Sequence, residues 1–296
     1  MRRKSNTAWL GTLLGVGVTL LASGAVAEMD DFISPVTNPV NFEDPRATTE
    51  IRPIYAYHKI SPDFVTQGGW ANVAAVQLRV ALTDRFALIA TKDGYVWLHP
   101  DKVVPNDDGW ANLAFGAKYA LLQDPALGLI GTLGARYEVA SGNRDVLQGY
   151  GDGLFNVFLS GGWGIDKFHL LAYTGPRLPV SGDDSTFWDT SLHADYKIGW
   201  FYPLVEFNWV QTLDGGRRLP IDQEGFDFFN LGSKNAGGEG VVTAALGARC
   251  RLTDTLELWQ NHKGGIDLGF AFERHITHRS EIFEWRMTSD LIFWVR

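Results

Sequence analysis

The chain has 296 residues, 45% of them hydrophobic, a formal charge of −8 and one cysteine, Cys250. An acidic chain without a basic cluster is a poor match to nucleic acid, so we expect no nucleic-acid partner. A single cysteine leaves no internal disulfide, so an exported chain of this size needs extensive hydrogen-bonded sheet for its stability.

The N-terminus has the layout of a secretory signal. Arg2, Arg3 and Lys4 precede an apolar run from Ala8 to about Ala22, which ends in the small residues SGAVA. This pattern predicts a signal peptide over residues 1–27, cleaved after Ala27. The alternative is an uncleaved helical anchor, because the run is nearly long enough to span a bilayer. Cleavage leaves about 269 residues with a formal charge of about −11, because the signal carries three positive charges and no acidic residue.

Residues 28–48 are polar and contain several prolines, with too few apolar residues for a core of their own. We expect an irregular N-terminal segment that either hangs in the periplasm or enters a lumen as a plug. Prolines suit an extended path outside a sheet, and Glu43, Asp44 and Arg46 can meet lumen charges. A solvated tail is the alternative.

Alternation of apolar and polar residues then predicts about twelve strands within residues 49–296. Their expected ranges are 49–60, 70–82, 85–93, 110–122, 127–140, 153–164, 167–176, 188–199, 202–213, 240–252, 255–263 and 283–295. Tight reversals such as Thr83-Asp84-Arg85 and Thr253-Asp254-Thr255 alternate with long connections rich in Gly, Asp, Asn and Pro. A meander of this kind places short turns at one rim and long loops at the other, as in outer-membrane barrels, whereas a Greek-key sandwich does not.

The two faces of the strands support the same fold. In residues 127–140 one face carries Leu129, Leu133 and Val139, whereas the other carries Arg136 and Glu138. Aromatic residues cluster near both ends of the strands, as in the girdles at membrane interfaces. We therefore predict an all-β fold, a single transmembrane antiparallel β-barrel with short periplasmic turns and long extracellular loops. Such a protein lies in the outer membrane, contacts its lipids and is inserted by the barrel-assembly machinery. A soluble sandwich remains the alternative.

Two stretches carry a family resemblance, SPVTNPVNFEDPRATTEIRPIY (residues 34–55) and LTDRFALIATKDGY (residues 82–95). They resemble a family of bacterial outer-membrane β-barrel transporters, and the LTDR turn is similar to the family of the MetA pathway of phenol degradation. The resemblance implies a barrel transporter or channel for small molecules such as apolar or aromatic compounds. The resemblance implies no catalytic or substrate-binding residues in this sequence.

Function then depends on the lumen. The residues that we expect to line it, and to set selectivity or to seal it, are Arg79, Lys118, Arg136, Glu138, His193, Asp195, Lys197, Glu206, Arg249, Glu257, Arg286 and Asp290. If they leave a water-filled path, they act as charge rings do in pores. If they pair across a narrow lumen, they close it, and a twelve-strand barrel lies between filled barrels and wide porins.

The sequence favours passive passage of small solutes without a cofactor, and not an enzyme. The first alternative is a filled barrel that serves as a structural or surface-binding protein through its long loops. A less favoured one is an outer-membrane lipid hydrolase using Ser191 and His193, but both face the predicted lumen, where no acyl chain lies. His275 and His278 are expected in a loop without a third metal ligand, so we predict no metal site.

Overall fold

The computed structural model describes residues 29–257 and 263–295, and for residues 254–257 and 263 it describes the backbone. The predicted signal peptide and the Arg296 terminus lie outside this range. Within the described residues, every helix is too short to cross a membrane.

Fourteen strands account for most of the described chain. They are β1 (Thr49–Ile60), β2 (Gly69–Ala81), β3 (Phe86–Lys92), β4 (Tyr95–Pro100), β5 (Asp107–Trp110), β6 (Leu113–Asp124), β7 (Leu129–Val139), β8 (Leu154–Ile165), β9 (Phe168–Pro179), β10 (Thr186–Tyr196), β11 (Phe201–Asp214), β12 (Gly240–Glu257), β13 (Lys263–His275) and β14 (Phe283–Val295).

These strands form one closed antiparallel barrel with twelve positions in its wall. The first and last strands pair over their whole length, from Thr49 opposite Val295 to Ile60 opposite Phe283. Strand β4 pairs with the first half of β2 and β3 with the second half, so β3 and β4 together occupy one position in the wall. Strand β5 pairs with β4 and β6 pairs with β3, so β5 and β6 together occupy the next position. Closure leaves no sheet edge, which a wall in hydrocarbon requires. The predicted fold class and strand number are confirmed.

The interruption between β3 and β4 has a local cause. Gly94 has φ +108°, a conformation that favours glycine, and its carbonyl accepts a hydrogen bond from Ala111 N at 2.9 Å. The side chain of Asp93 replaces a missing backbone acceptor, since its Oδ1 accepts from Val76 N at 3.0 Å. The wall therefore stays hydrogen-bonded where the ladder breaks.

Connection length separates the two rims as predicted. Short turns at residues 82–85, 125–128, 166–167 and 197–200 lie at one rim, together with the start of β1 and the end of β14. The opposite rim carries the longer connections 61–68, 101–106, 140–153, 180–185, 215–239 and 276–282. We call them the short-turn rim and the long-loop rim.

The outer face of the wall is apolar and the inner face is polar. In β2, Leu78 and Val80 are 44% and 46% exposed, whereas their neighbours Gln77 and Arg79 are 2% and 1% exposed. The same alternation leaves large apolar side chains outside on the other strands, including Leu88, Phe115, Leu133, Val157, Leu192, Phe207, Leu246, Phe270 and Phe293. This is the arrangement of a membrane barrel and the reverse of a soluble one.

Three parts of the strand prediction are wrong. Residues 92–109 contain β4 and β5 and not a single long loop, because the chain continues the wall on either side of the breaks at Gly94 and Asn112. Strand β12 runs through Thr253, which pairs with Ile266, and ends at Glu257, so the turn predicted at 253–255 is part of a strand. Residues 258–262 of the strand predicted over 255–263 lie outside the described residues. The strand after β12 is Lys263–His275, so His275 lies in a strand and not in a loop.

The prediction that the aromatic residues near the strand ends form outer girdles is wrong for Tyr202 and Trp294, which lie on the inner side of the wall. Tyr202 is fully buried, and Trp294 is 8% exposed with its Nε1 donating to Asp267 Oδ1 at 3.2 Å. Period-two alternation assigns them to the inner face, because Leu204 and Ile292, two residues away on their strands, are also buried.

Candidate functional site

Two segments of the chain fill the barrel lumen between the rims. We call residues 29–48 the plug segment and residues 215–239 the mouth loop. Phe32 and Phe42 of the plug segment pack against inward side chains of β3 and β6–β9. Phe226 and Phe229 of the mouth loop pack against inward side chains near the long-loop rim, among them Phe187 and Phe283.

Wall cations hold the plug segment mainly through its backbone carbonyls. Arg249 donates to Ser34 O at 3.0 Å, Arg136 donates to Asn41 O at 2.7 Å, and Lys118 donates to Asp44 O at 2.7 Å. Arg52 also donates to Pro35 O at 2.6 Å. Because the segment is not in a sheet, these side chains satisfy carbonyls that would otherwise lack partners.

The carboxylates of the plug segment have two different environments. Glu43 accepts from Arg79 Nε at 2.7 Å and Nη2 at 2.8 Å, and from Lys118 Nζ at 2.7 Å. Asp44 and Arg46 instead pair with each other, at 2.5 Å between Nη2 and Oδ2. Glu43 therefore joins the segment to the wall, whereas Asp44 and Arg46 stabilise the local bend of the segment.

A chain of hydrogen bonds crosses three wall strands and ends on the plug segment. His169 Nδ1 lies 2.7 Å from Asp195 Oδ1, and His193 lies 3.0 Å from Asp195 and 2.7 Å from Glu206. Glu206 accepts from the backbone N–H groups of Val36 at 2.8 Å and Thr37 at 2.7 Å. These groups are buried and mutually paired, which is the condition for burying so much charge.

A second cluster joins the strands at the closure of the barrel. Asp290 on β14 accepts from Arg249 Nη1 at 2.7 Å and Nη2 at 3.0 Å, and it also pairs with Arg52 on β1. All three side chains are at most 1% exposed. Two arginines share one carboxylate here, and the carbonyls of Ser34 and Pro35 supply the remaining acceptors.

The mouth loop is held by three wall cations. Arg177 donates to Phe226 O at 2.8 Å, and Lys92 donates to Phe228 O at 2.8 Å. Arg286 donates to both carboxylate oxygens of Asp227, at 3.0 and 2.7 Å. The loop also touches the plug segment, where Asn41 Nδ2 donates to Asp227 O at 3.4 Å.

Most of the charged residues chosen from the sequence lie in this lumen. Arg79, Lys118, Arg136, His193, Asp195, Glu206, Arg249, Arg286 and Asp290 are buried. Glu138 is partly exposed near the long-loop rim and accepts from Lys92 Nζ at 2.6 Å. Lys197 is partly exposed at the short-turn rim, where it pairs with Asp31. The side chain of Glu257 lies outside the described part of the structure.

Sequence reasoning missed several members of the lumen network. They are Glu50, Arg52, Lys92, His169, Arg177, Asp189, Asp227 and Glu273, all buried. Arg177 was missed because the expected strand ended at residue 176, whereas β9 continues to Pro179. Glu273 was missed with the whole of β13. Arg52 lies within the predicted strand 49–60, and its alternation with Ile51 finds it. Lys92 faces inward because of the bulge between Ala90 and Lys92, and no sequence signal places Asp227 inside.

The proposed hydrolase pair does not face lipid. Ser191 and His193 are each 1% exposed on the inner side of β10, and Ser191 Oγ accepts from Asn38 Nδ2 of the plug segment at 3.2 Å. An acyl chain in the bilayer has no access to either residue.

Two open cavities lie at the short-turn rim. One cavity of about 640 Å³ is lined by Met29, Arg46, Thr83 and Gln123, and another of about 530 Å³ by Asp31, Lys197, Trp200 and Arg251. Near the long-loop rim, the space among Glu138, Gln148, Tyr150, Asp184 and Arg218 is about 20 Å³, room for about one water.

Comparison with solved structures agrees with the fold. The chain is similar to an outer-membrane channel from Pseudomonas putida F1, with a TM-score of 0.58 and 11% identity over 90% of this chain and 100% of that one. Weaker similarities include the β domain of the Bordetella autotransporter BrkA, with a TM-score of 0.48, 14% identity and coverage of 83% and 99%. A third is the CymD monoaromatic hydrocarbon channel, with a TM-score of 0.39, 9% identity and coverage of 91% and 97%.

At such identities the similarity concerns the fold alone. No protein-family model matches the sequence, and no curated protein matches it. The MetA-pathway resemblance therefore stays a prediction, whereas the outer-membrane type of barrel is shown by the architecture of the wall.

Proposed function

We propose that this protein is an outer-membrane channel for the passive passage of small molecules, closed in the described state by the plug segment and the mouth loop. The observation that carries the proposal is the nature of the lumen filling. The space is occupied by two segments that are not part of the sheet, and not by wall side chains alone. Wall side chains alone fill the interior of barrels of about eight strands, whereas this wall of twelve positions encloses two further chain segments.

The contacts of the plug segment support a closure that can be reversed. Ser34, Pro35, Asn41 and Asp44 are held through backbone carbonyls, and water can replace each of these acceptors on the wall cations when the segment moves. Arg136 makes no ion pair with any described residue, and its charge is met by carbonyls of the segment and by the Phe158 ring at 4.6 Å. An emptied lumen therefore exposes cationic groups, and we expect a preference for anionic solutes.

Planar-bilayer conductance tests the proposal. We expect low conductance from the chain lacking the signal, and steady conductance when residues 28–48 are deleted or when Arg136→Gln weakens the hold on the segment. The control is Arg217→Gln, because Arg217 lies in the mouth loop with 68% of its side chain exposed and no contact to the plug segment among the described residues. If all four proteins insert and none conducts, the channel proposal is wrong.

A filled structural barrel is the second candidate, and the cluster of Arg52, Arg249 and Asp290 favours it. Removing one member of a buried ion cluster typically costs about 3–5 kcal/mol, so a lumen built from such clusters resists opening. This candidate predicts that deletion of residues 28–48 prevents folding of the barrel. A folded, heat-resistant barrel without the segment contradicts it.

A further inference from the structure

The tip of the mouth loop, residues 225–229, lies inside the lumen. Phe226 is 1% exposed and has φ +64°, a left-handed conformation that costs free energy in a residue with a Cβ. Asp227, the next residue, is 2% exposed. The tip therefore presents an aromatic ring and a carboxylate side by side, and the wall holds it there despite the local strain.

The carboxylate of Asp227 sits in a site built for a carboxylate. Arg286 Nη1 lies 3.0 Å from Oδ1 and 2.7 Å from Oδ2 of Asp227, and Arg286 Nη2 lies 2.7 Å from Glu273 Oε2. Arg286 and Glu273 face each other across β13 and β14, so their positions are fixed by the sheet. A planar guanidinium fixed in this way is a strong and specific partner for a carboxylate.

The ring of Phe226 lies against further aromatic and cationic groups. Its centroid is 5.0 Å from that of Phe283, and the Arg286 guanidinium is 5.8 Å from Phe226 and 5.4 Å from Phe283. Arg177 stacks on Phe187 at 4.2 Å and donates to the carbonyl of Phe226. The pocket thus combines aromatic contact with cation–π attraction next to the carboxylate site.

One polar group of this pocket remains unused by the loop tip. His58, 2% exposed, packs edge-on against Phe283 with ring centroids 5.0 Å apart and lies 6.4 Å from Phe229. Its Nε2 has no hydrogen-bond partner among the residues that the structure describes. A buried polar group without a protein partner points to a water or a solute at this place.

We propose that the pocket of Arg286, Phe283, Arg177 and His58 is a binding site for an aromatic carboxylate, and that Phe226 and Asp227 occupy it in place of the ligand. This inference rests on the proposed channel function and names its substrate class. When the tip withdraws, Arg286 Nη1 loses its carboxylate partner, whereas Arg286 Nη2 keeps Glu273. Arg177 likewise keeps Asp189, 2.6 Å away, so the vacant position is the one at Nη1, where a solute carboxylate fits. An aliphatic acid lacks the ring, and a neutral aromatic compound lacks the charge.

Hydrogen–deuterium exchange of the full-length barrel in lipid nanodiscs tests the site with unmodified protein. The probes are benzoate, acetate and benzyl alcohol at equal concentrations, and the readout is exchange of the amides in residues 225–229. We expect saturating benzoate to raise their exchange rates at least about tenfold, because the tip is displaced from its buried position. Acetate and benzyl alcohol are expected to leave these rates within about twofold of those without ligand.

Two variants link the result to the pocket. Arg286→Gln is expected to abolish the difference between benzoate and the other two probes, whereas Arg217→Gln, at an exposed arginine of the same loop, keeps it. Equal effects of the three probes, no effect of benzoate, or a benzoate effect that survives Arg286→Gln overturns the inference.

Bilayer conductance of the same preparations separates the two proposals. A barrel that conducts but shows no benzoate-specific exchange refutes the aromatic-carboxylate site alone. A barrel that conducts neither with benzoate nor after deletion of residues 28–48 refutes the channel, whereas benzoate-specific exchange in that barrel still supports the site.

Discussion

The plug segment and the mouth loop occupy one lumen, but the wall holds them differently. The plug segment is held along its length, from Ser34 to Asp44, and its contacts reach inward residues of at least seven strands. The wall holds the mouth loop mainly at its tip, through Arg177, Arg286 and Lys92. Elsewhere the loop contacts other connections of the long-loop rim, for example through Glu224, which accepts from Ser185 Oγ at 2.6 Å. Contacts with the sheet along a whole segment make it part of the folded core, whereas a loop that contacts mostly other loops can move with them. We therefore expect the mouth loop to open and close faster than the plug segment.

The largest effect is expected from the plug segment. Arg79→Leu removes the cation shared by Glu43 and Glu50, and leaving buried carboxylates short of a partner costs about 3–5 kcal/mol. Thermal unfolding of the barrel and protease cleavage of residues 29–48 measure this loss.

The matched control is Arg85→Leu in the exposed β2–β3 turn, which we expect to change stability by about 0.5 kcal/mol or less. Equal effects of the two variants contradict the view that the plug segment is part of the core.

A smaller effect is expected at the loop tip. Asp227→Asn keeps the shape of the side chain but removes the charge that meets Arg286, at a cost of about 1.5–3 kcal/mol. Because the ion pair between Asp227 and Arg286 stabilises the mouth loop and not the plug segment, we expect faster amide exchange in residues 225–229 and unchanged exchange in the plug segment. The control is Asp222→Asn at a carboxylate 66% exposed in the same loop. Matching acceleration in both segments contradicts independent closure.

The hydrogen bond between the plug segment and the mouth loop tests whether the two segments open independently. Asn41 Nδ2 donates to Asp227 O at 3.4 Å, a long hydrogen bond, so Asn41→Ala is expected to cost about 0.5–1.5 kcal/mol. Paired measurements with Asp227→Asn in a double-mutant cycle give the coupling between plug and loop. A coupling above about 1.5 kcal/mol shows that the two segments open together, against our expectation.

The smallest effect is a pH dependence in the 180–185 connection, which packs beside the mouth loop. Burial raises the pKa of Asp184 to about 6, although Arg218 lies 2.8 Å away and acts in the opposite direction. Because the folded state favours the protonated carboxyl, this stabilising contribution is complete below about pH 4 and is lost as the pH rises through about 6. We expect the unfolding temperature of the wild type, relative to Asp184→Asn, to fall by about one or two degrees over that range. If the difference in unfolding temperature between wild type and Asp184→Asn does not change with pH, the raised pKa of Asp184 is contradicted.

Local patterns in the sequence predict most of the wall. Alternation in β2, β7, β10 and β11 identifies the inward charges Arg79, Arg136, His193 and Glu206, because a period of two needs only a few neighbouring residues. The prediction is wrong where the ladder is irregular. The bulges between Arg251 and Leu256 change the register of β12, so the turn expected at Thr253 is part of the strand.

The sequence by itself determined the membrane barrel, its two unlike rims and the polar character of its interior. These properties depend on side-chain period and on connection length, which local stretches of sequence contain. Only the tertiary structure decided what fills the lumen, which carboxylate meets which cation, and that Asp227 reaches Arg286. Those pairings join residues far apart in the chain, such as Arg52 with Asp290 or Val36 with Glu206. They arise only after closure pairs the first strand with the last and encloses the plug segment.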